Sequence, residues 1–214
     1  LAQDIISADT ALGAEPADTD EFLVSDAGTL KRMDYSHIKG AWVYLNTVTI
    51  SSSTASASFD GDFTSDYDIY KILFYMAPVA SSSMRIRFRK GDADDTSSNY
   101  QWVQNGGRSN DASGGWTAYT SANQGTDYIE LFSADVDDGD VAVGEITLFD
   151  PLNTAYYKNI LGVVTTRHDN GRDFTSTSSG SLDDDTLALS GITFYQSTGN
   201  IAVAKYRLYG IKNS

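Results

Sequence analysis

The sequence predicts an all-β protein: an antiparallel β-sandwich of jelly-roll-like type, preceded by an extended arm and a short β-hairpin. Two observations lead to this prediction. Apolar and polar residues alternate along many short segments, which is the period of strands with one buried face. Gly, Asp, Ser and Asn separate these segments, and none has the period of a helix longer than a turn or two.

Composition limits the classes of protein that the chain can belong to. A hydrophobic content of 41% is enough for a core in a chain of 214 residues. The 29 Asp and Glu against 15 Lys and Arg give a net charge of -14, which argues against a nucleic-acid partner. The chain has no Cys, which excludes disulfides and thiolate metal sites. No apolar run approaches the roughly 18 residues of a membrane span, so we predict no membrane insertion. We also predict no cofactor.

The first 20 residues have few apolar side chains and no sustained period. They cannot repay their own ordering entropy, so we expect them to be mobile or held by a partner chain. The apolar runs 21–25 and 29–35 then flank a turn of Asp26, Ala27 and Gly28, which predicts a β-hairpin. An isolated hairpin is marginal in water, so this one is expected to pack on another surface.

We therefore divide the chain into an N-terminal arm with hairpin, residues 1–39, and a β-sandwich domain, residues 40–214. Residues 69–76 and 84–90 are expected to be neighbouring antiparallel strands in the middle of a sheet. Two polar stretches, 91–126 and 167–185, are expected to be loops. The other predicted strands are 42–50, 128–132, 141–149, 156–166, 186–189, 191–195 and 201–211.

Three arginines alternate with apolar residues along the second of these central strands. Arg85, Arg87 and Arg89 would lie about 7 Å apart on one face. They could hold a sulfated or acidic sugar, because guanidinium groups match such anions bidentately. Cross-strand pairing with the many Asp and Glu of the chain is the favoured interpretation.

The polar stretch 91–126 contains the candidate ligand-binding residues. Sugar recognition needs flat apolar platforms beside amide and hydroxyl groups, and this stretch supplies both. The alternative is that the aromatic residues are ordinary strand residues that cap the sandwich. The candidate binding residues are Tyr100, Trp102, Gln104, Asn105, Arg108, Trp116 and Tyr119.

Metal and catalytic chemistry have weaker support. The Asp-rich segments 92–95, 135–140 and 183–185 offer oxygens to calcium, but none has the EF-hand spacing, and solvated acidic turns are the favoured interpretation. His168 lies beside Asp169, yet the sequence has no nucleophile elbow, Gly-rich phosphate loop or His-rich metal pattern. We therefore predict no catalytic residues, and a surface loop for His168.

Several segments resemble the tail-fibre-like structural proteins of tailed bacteriophages. Residues 25–35 with Ile38 and Lys39 are similar to a linker segment common in these proteins. Residues 64–72, the arginine-rich strand and the ending 206–212 are similar to the β-rich distal domains that follow it. The resemblance implies a virion component, usually a homotrimer, whose terminal β-domains bind a host surface glycan or protein.

The resemblance leads us to expect a non-enzymatic virion protein, a short tail fibre or fibre tip. Its arm would attach to other virion proteins, on the tail or the capsid surface, and the hairpin would be buried between chains at Phe22, Val24, Leu30 and Met33. The chain lacks the collagen-like or triple-β repeats of many fibres and is far shorter than enzymatic tailspikes. A capsid head fibre or decoration protein without a receptor role, and a glycan depolymerase, are the alternatives.

Overall fold

The computed structural model describes residues 16–17, 19–35, 40–109, 116–168, 172–183 and 186–212. The chain divides into two compact units, Leu1–Ala41 and Trp42–Ser214. Every named element is a β-strand and every strand pair is antiparallel, which confirms the predicted fold class. Within the described residues no helix is long and apolar enough to cross a membrane.

The first unit contains the predicted hairpin. Strands β1 (Glu21–Asp26) and β2 (Thr29–Asp34) pair in register from Glu21 opposite Asp34 to Asp26 opposite Thr29. The two turn residues Ala27 and Gly28 both have positive φ, 50° and 83°, as a type I′ turn requires. The sequence therefore predicts both the hairpin and its turn correctly.

The second unit forms two sheets. The larger has eight strands in the order β3-β15-β5-β11-β12-β13-β8-β9, and the smaller has the order β10-β6-β14-β4 with β7 paired to β6. The strands are β3 (Trp42–Ile50), β4 (Ser56–Asp60), β5 (Tyr67–Pro78), β6 (Ser82–Lys90), β7 (Ala93–Asp94), β8 (Tyr100–Ser109), β9 (Trp116–Thr126), β10 (Ile129–Val136), β11 (Ala142–Phe149), β12 (Lys158–His168), β13 (Arg172–Leu182), β14 (Gly191–Gln196) and β15 (Ile201–Lys212).

The core lies between the two sheets. Phe194 of the smaller sheet stacks on Tyr206 of the larger one, with ring centroids 4.4 Å apart, and Phe132 meets Phe174 edge-on at 4.9 Å. All four residues are buried. Gly180 permits this close approach, since a Cβ there would lie 2.6 Å from the Ile129 side chain of the opposite sheet. The two sheets therefore form one sandwich with a shared aromatic core.

The predicted pairing of residues 69–76 with 84–90 is wrong. Both segments are strands, β5 and β6, but β5 pairs with β15 and β11 in the larger sheet while β6 pairs with β10 and β14 in the smaller. The chain crosses from one sheet to the other after Pro78. Alternation reveals which face of a strand is buried, but not which strand lies beside it.

The two predicted loops are also largely wrong. The stretch 91–126 contains the paired strands β8 and β9, and the stretch 167–185 contains β13, which lies between β8 and β12. These strands expose hydroxyl and amide side chains on one face and bury only a few apolar residues on the other. Such strands are too polar to be recognised by an apolar period.

Candidate functional site

One face of the eight-stranded sheet is turned away from the core, and we call it the outer face. It consists of alternate residues of all eight strands, and the register aligns them in four cross-strand rows. None of these residues is buried. From β3 to β9 the rows are Thr49-Lys205-Tyr75-Val143-Thr165-Thr175-Gly107-Ala118, Thr47-Arg207-Leu73-Glu145-Val163-Thr177-Asn105-Thr120, Tyr44-Tyr209-Lys71-Thr147-Leu161-Ser179-Val103-Ala122 and Trp42-Ile211-Ile69-Phe149-Asn159-Ser181-Gln101-Gln124.

The outer face has two chemically different parts. We call the part on β3, β15, β5, β11 and β12 the apolar sector, because most of its large side chains are aliphatic or aromatic. We call the part on β13, β8 and β9 the polar sector. In the four rows the polar sector has hydroxyl, amide, Ala, Val and Gly residues and no charged side chain.

A cleft of about 690 Å³ lies where the two sectors meet. Its outward-facing lining combines three amides and two hydroxyls with an apolar wall of Phe149, Leu161 and Val103. The outward-facing polar lining residues lie on β8, β9, β12 and β13 and are Gln101, Gln124, Asn159, Ser179 and Ser181; Asn123 of β9 also lines the cleft. The volume falls in the range of small-molecule sites, which are apolar pockets with a few polar groups.

Most of the polar groups of the cleft are available to a ligand. Gln101 donates to the Asp183 carboxylate and Asn159 donates to the Tyr157 carbonyl at 3.1 Å, so each amide has a fixed orientation. Among the described residues, the side chains of Gln124, Ser179 and Ser181 have no hydrogen-bond partner. Uncharged donors and acceptors beside an apolar wall suit a neutral polyhydroxylated ligand.

The structure places three of the predicted binding residues in the core. Tyr100, Trp102 and Gln104 alternate along β8 and point inward, and all three are buried. The Tyr100 hydroxyl accepts from the Phe88 amide at 3.0 Å and donates to the Asp95 carbonyl, and burial raises the pKa of this phenol. Placement of these residues on an exposed loop is therefore wrong, and the alternative that Tyr100 and Trp102 are ordinary strand residues is confirmed.

The remaining predicted binding residues do not converge. Asn105 lies on the outer face, Arg108 is half-buried near the end of β8, and Tyr119 packs edge-on against Phe174 at 5.5 Å. Trp116 begins β9, and its side chain lies outside the described residues. Trp102 also contributes to the floor of the cleft, although only 6% of it is exposed. A binding role for the outward-facing members stays a prediction.

The predicted pairing of the arginine row is confirmed. Arg85 binds Glu130 at 3.1 Å, Arg87 binds Asp127, and Arg89 bridges Asp60 at 3.0 Å and Asp94 at 2.6 Å. The hydrogen bond from Arg89 holds the pKa of Asp60 below its ordinary value.

Tyrosine rings flank the same row. The Arg85 guanidinium lies 3.8 Å from the Tyr128 ring centroid, and that of Arg87 lies 4.6 Å from the Tyr195 ring centroid. Burial raises the pKa of Tyr195 to about 12. These arginines are therefore engaged within the chain, which leaves them few donors for an acidic sugar.

No group of three metal-ligating side chains occurs among the described residues. Asp94 forms an ion pair with Arg89, and Asp95 forms one with Lys90 at 2.5 Å. Asp184 and Asp185 lie outside the described residues. His168 ends β12 rather than lying in a loop, and its side chain is likewise not described.

Sequence reasoning missed the cleft. Its residues come from strands far apart in the chain, and the sequence predicts loops where β8, β9 and β13 lie. Residues 175–181 are Ser or Thr at every position except Gly180, so the sequence shows no period of two although the structure buries alternate residues. The strand preference of Thr was the one signal present.

No protein family model and no curated protein matches the chain. Among solved structures it is similar to the exo-inulinase from Aspergillus awamori, with a TM-score of 0.37 and 10% identity over 90% of this chain and 35% of that one. It is also similar to a structure of the infectious bursal disease virus Gx strain, with a TM-score of 0.11 and 7% identity over 95% of this chain and 45% of that one. The chain thus spans less than half of either chain, and likenesses this low carry no argument about fold or function.

Proposed function

We propose that the chain is a non-enzymatic virion protein of a tailed bacteriophage, a short tail fibre or fibre tip, whose sandwich binds a host surface glycan in the outer-face cleft. The observation that carries the binding role is the cleft itself. It presents free hydroxyl and amide groups at Ser179, Ser181 and Gln124 against the apolar wall of Phe149 and Leu161. Sugars have the same two features, since hydroxyl groups surround their C–H faces.

The lining also supports a preference for neutral sugars and a binding rather than a hydrolytic role. None of the lining residues has a charged or titratable side chain. A site for a uronic or sialic acid would gain from a guanidinium or ammonium group. Glycoside hydrolysis generally needs two carboxyl groups flanking the scissile bond.

Titration calorimetry with neutral hexose and N-acetylhexosamine tetrasaccharides tests the binding role. We expect Gln124→Ala to weaken binding about 5- to 10-fold, because one lost hydrogen bond is worth about 1 to 1.4 kcal/mol. Thr120→Ala is the matched control, since Thr120 is exposed on the same face of the same strand but does not line the cleft. Equal affinities for the two variants, or no binding of either sugar class, would contradict the proposal.

The virion assignment rests on the sequence resemblance. Assembly as a homotrimer would multiply weak single-site contacts by avidity, by about two orders of magnitude or more. In this proposal the hairpin side chains Phe22, Val24, Leu30 and Met33 attach the chain to its partners; Phe22 and Leu30 are exposed in the single chain. Antibody labelling of whole particles tests the location: label at the tail supports a fibre, and label over the capsid supports a head fibre or decoration protein instead.

A further inference from the structure

The apolar sector of the outer face leaves large hydrophobic side chains in water. Leu73, Tyr75, Val143 and Val163 occupy neighbouring positions on β5, β11 and β12, and each is between 36% and 44% exposed. Scattered exposed apolar residues are normal, but a contiguous block on one sheet face usually marks a contact surface. The question is which partner covers it.

The area of the sector fits a protein interface. The sector has twenty positions in the four rows, on five strands about 4.8 Å apart with alternate residues about 6.8 Å apart, so each position covers about 33 Å². Without Phe149, Leu161 and Asn159, which line the cleft, seventeen positions remain. They cover about 550 Å² on one copy and about 1,100 Å² for two copies in contact, which reaches the lower limit for a specific interface.

The charges of the sector favour another copy of the same chain. The protein has a net charge of -14, so two copies repel each other over most of their surfaces. In the four rows the sector has a single carboxylate, Glu145, which Lys71 binds at 2.7 Å. Its other charges are the cations Lys205 and Arg207, which have no partner among the described residues. The sector therefore has only one of the carboxylates that repel two copies elsewhere, and Glu145 of the facing copy can offset its cations.

The geometry of the sheet favours the same partner. Two sheets pack well face to face when their twists match, at about 30° between strand directions. A second copy supplies a sheet with identical twist. In addition, Arg207 and Glu145 flank Leu73 on opposite sides of the same row. A second copy that packs face to face with its strands aligned therefore brings its guanidinium to the carboxylate of the first copy.

We propose that the apolar sector is a contact surface between copies of this chain. Leu73, Tyr75, Val143 and Val163 form the buried centre of the contact, and the polar sector and the cleft residues Phe149, Leu161 and Asn159 lie outside it. This contact is separate from the hairpin and does not depend on glycan binding. If Gln124→Ala loses sugar binding but keeps the oligomeric mass of the wild type in solution, this proposal remains intact.

Sedimentation equilibrium of the full chain tests the contact. We expect the wild-type chain to be oligomeric, and Val163→Lys to raise its dissociation constant about 10-fold or more, because a charge is then buried at the centre of the interface. Val79→Lys is the matched control: Val79 is exposed to a similar extent, 43% against 38%, but lies in the turn after β5 and outside the outer face. The control should sediment like the wild type.

Three outcomes would overturn the proposal: a monomeric wild-type chain, equal dissociation by Val163→Lys and Val79→Lys, or dissociation by Leu30→Lys in the hairpin but not by Val163→Lys. If Val163→Lys fails to fold, Val163→Thr provides the same test, because it keeps the β-branched shape and adds only a hydroxyl. A folded Val163→Thr variant with wild-type association would also overturn the proposal.

Discussion

Truncation of Phe194 to alanine tests whether the two sheets form one cooperative unit. Phe194 belongs to the smaller sheet and is 1% exposed, yet its ring stacks on Tyr206 at 4.4 Å and lies 6.2 Å from Phe74, both in the larger sheet. A buried Phe→Ala substitution costs about 3 to 5 kcal/mol through lost burial and the cavity left behind. Loss of the stacked pair adds about 0.5 to 1.5 kcal/mol.

Urea unfolding monitored by tryptophan fluorescence and by far-ultraviolet circular dichroism measures this cost. With a slope of about 2 to 3 kcal/mol/M, a loss of about 4 kcal/mol lowers the midpoint by about 1.3 to 2 M in both signals. Tyr156→Ala is the control, because Tyr156 is 71% exposed and its loss should move the midpoint little. A shift for Phe194→Ala no larger than that of the control, or two separate transitions, would refute a shared core.

Three further predictions concern packing, protonation and charge. Gly180→Ala should destabilise the fold by about 1 to 3 kcal/mol in the same urea assay, because its Cβ would collide with the opposite sheet; an unchanged midpoint would contradict the observed spacing. Because Arg89 lowers the pKa of Asp60, the stability from this pair is present above the unfolded pKa of Asp60 and is lost as pH falls through its folded pKa. Asp60→Asn should therefore lose less stability than the wild type between pH 5 and pH 2, and parallel losses would argue against the linkage. In sedimentation, Arg207→Glu and Glu145→Arg should each weaken self-association and the double variant should recover it; no recovery would contradict aligned packing of the sheets.

The parts of the fold that depend on local chemistry could be predicted from the sequence. Gly28 is the clearest local signal for the hairpin turn, because its positive φ of 83° is one that glycine adopts readily. The last strand could be assigned to its faces as well. Ala204, Tyr206 and Leu208 are buried, while Lys205 and Arg207 lie on the outer face. Alternation specifies the buried face wherever one face is apolar.

Strand partners could not be predicted, because they depend on contacts that are remote in sequence. Both β5 and β6 have an apolar face and follow each other closely, which made pairing the natural expectation. Instead they lie in different sheets, and their buried faces meet a common core. A hairpin and a crossover between sheets require the same apolar residues, so the periodicity of the two segments cannot distinguish them.

The cleft was beyond prediction for a related reason. Gln101 and Gln124 belong to strands that read as loops, and Asn159 and Ser181 meet them only through the register of β12, β13 and β8. The prominent aromatic residues of the same stretch were a misleading guide. Tyr100 and Trp102 are large because they fill the core, and the smaller polar residues between them form the surface.

Stability alone does not explain the uncharged composition of the polar sector. The chain has 29 Asp and Glu residues and a net charge of -14, and charged residues are the usual means of keeping an outward strand face soluble. Yet in the four rows the outward residues of β13, β8 and β9, such as Thr175, Thr177 and Ser179, have no charge. Cross-strand hydroxyl pairs, such as Thr165 with Thr175 at 3.1 Å, stabilise the sheet only modestly. The neutral hydroxylated ligand that we propose would account for this composition, because a charge there would keep its hydration water and compete with the ligand for contact.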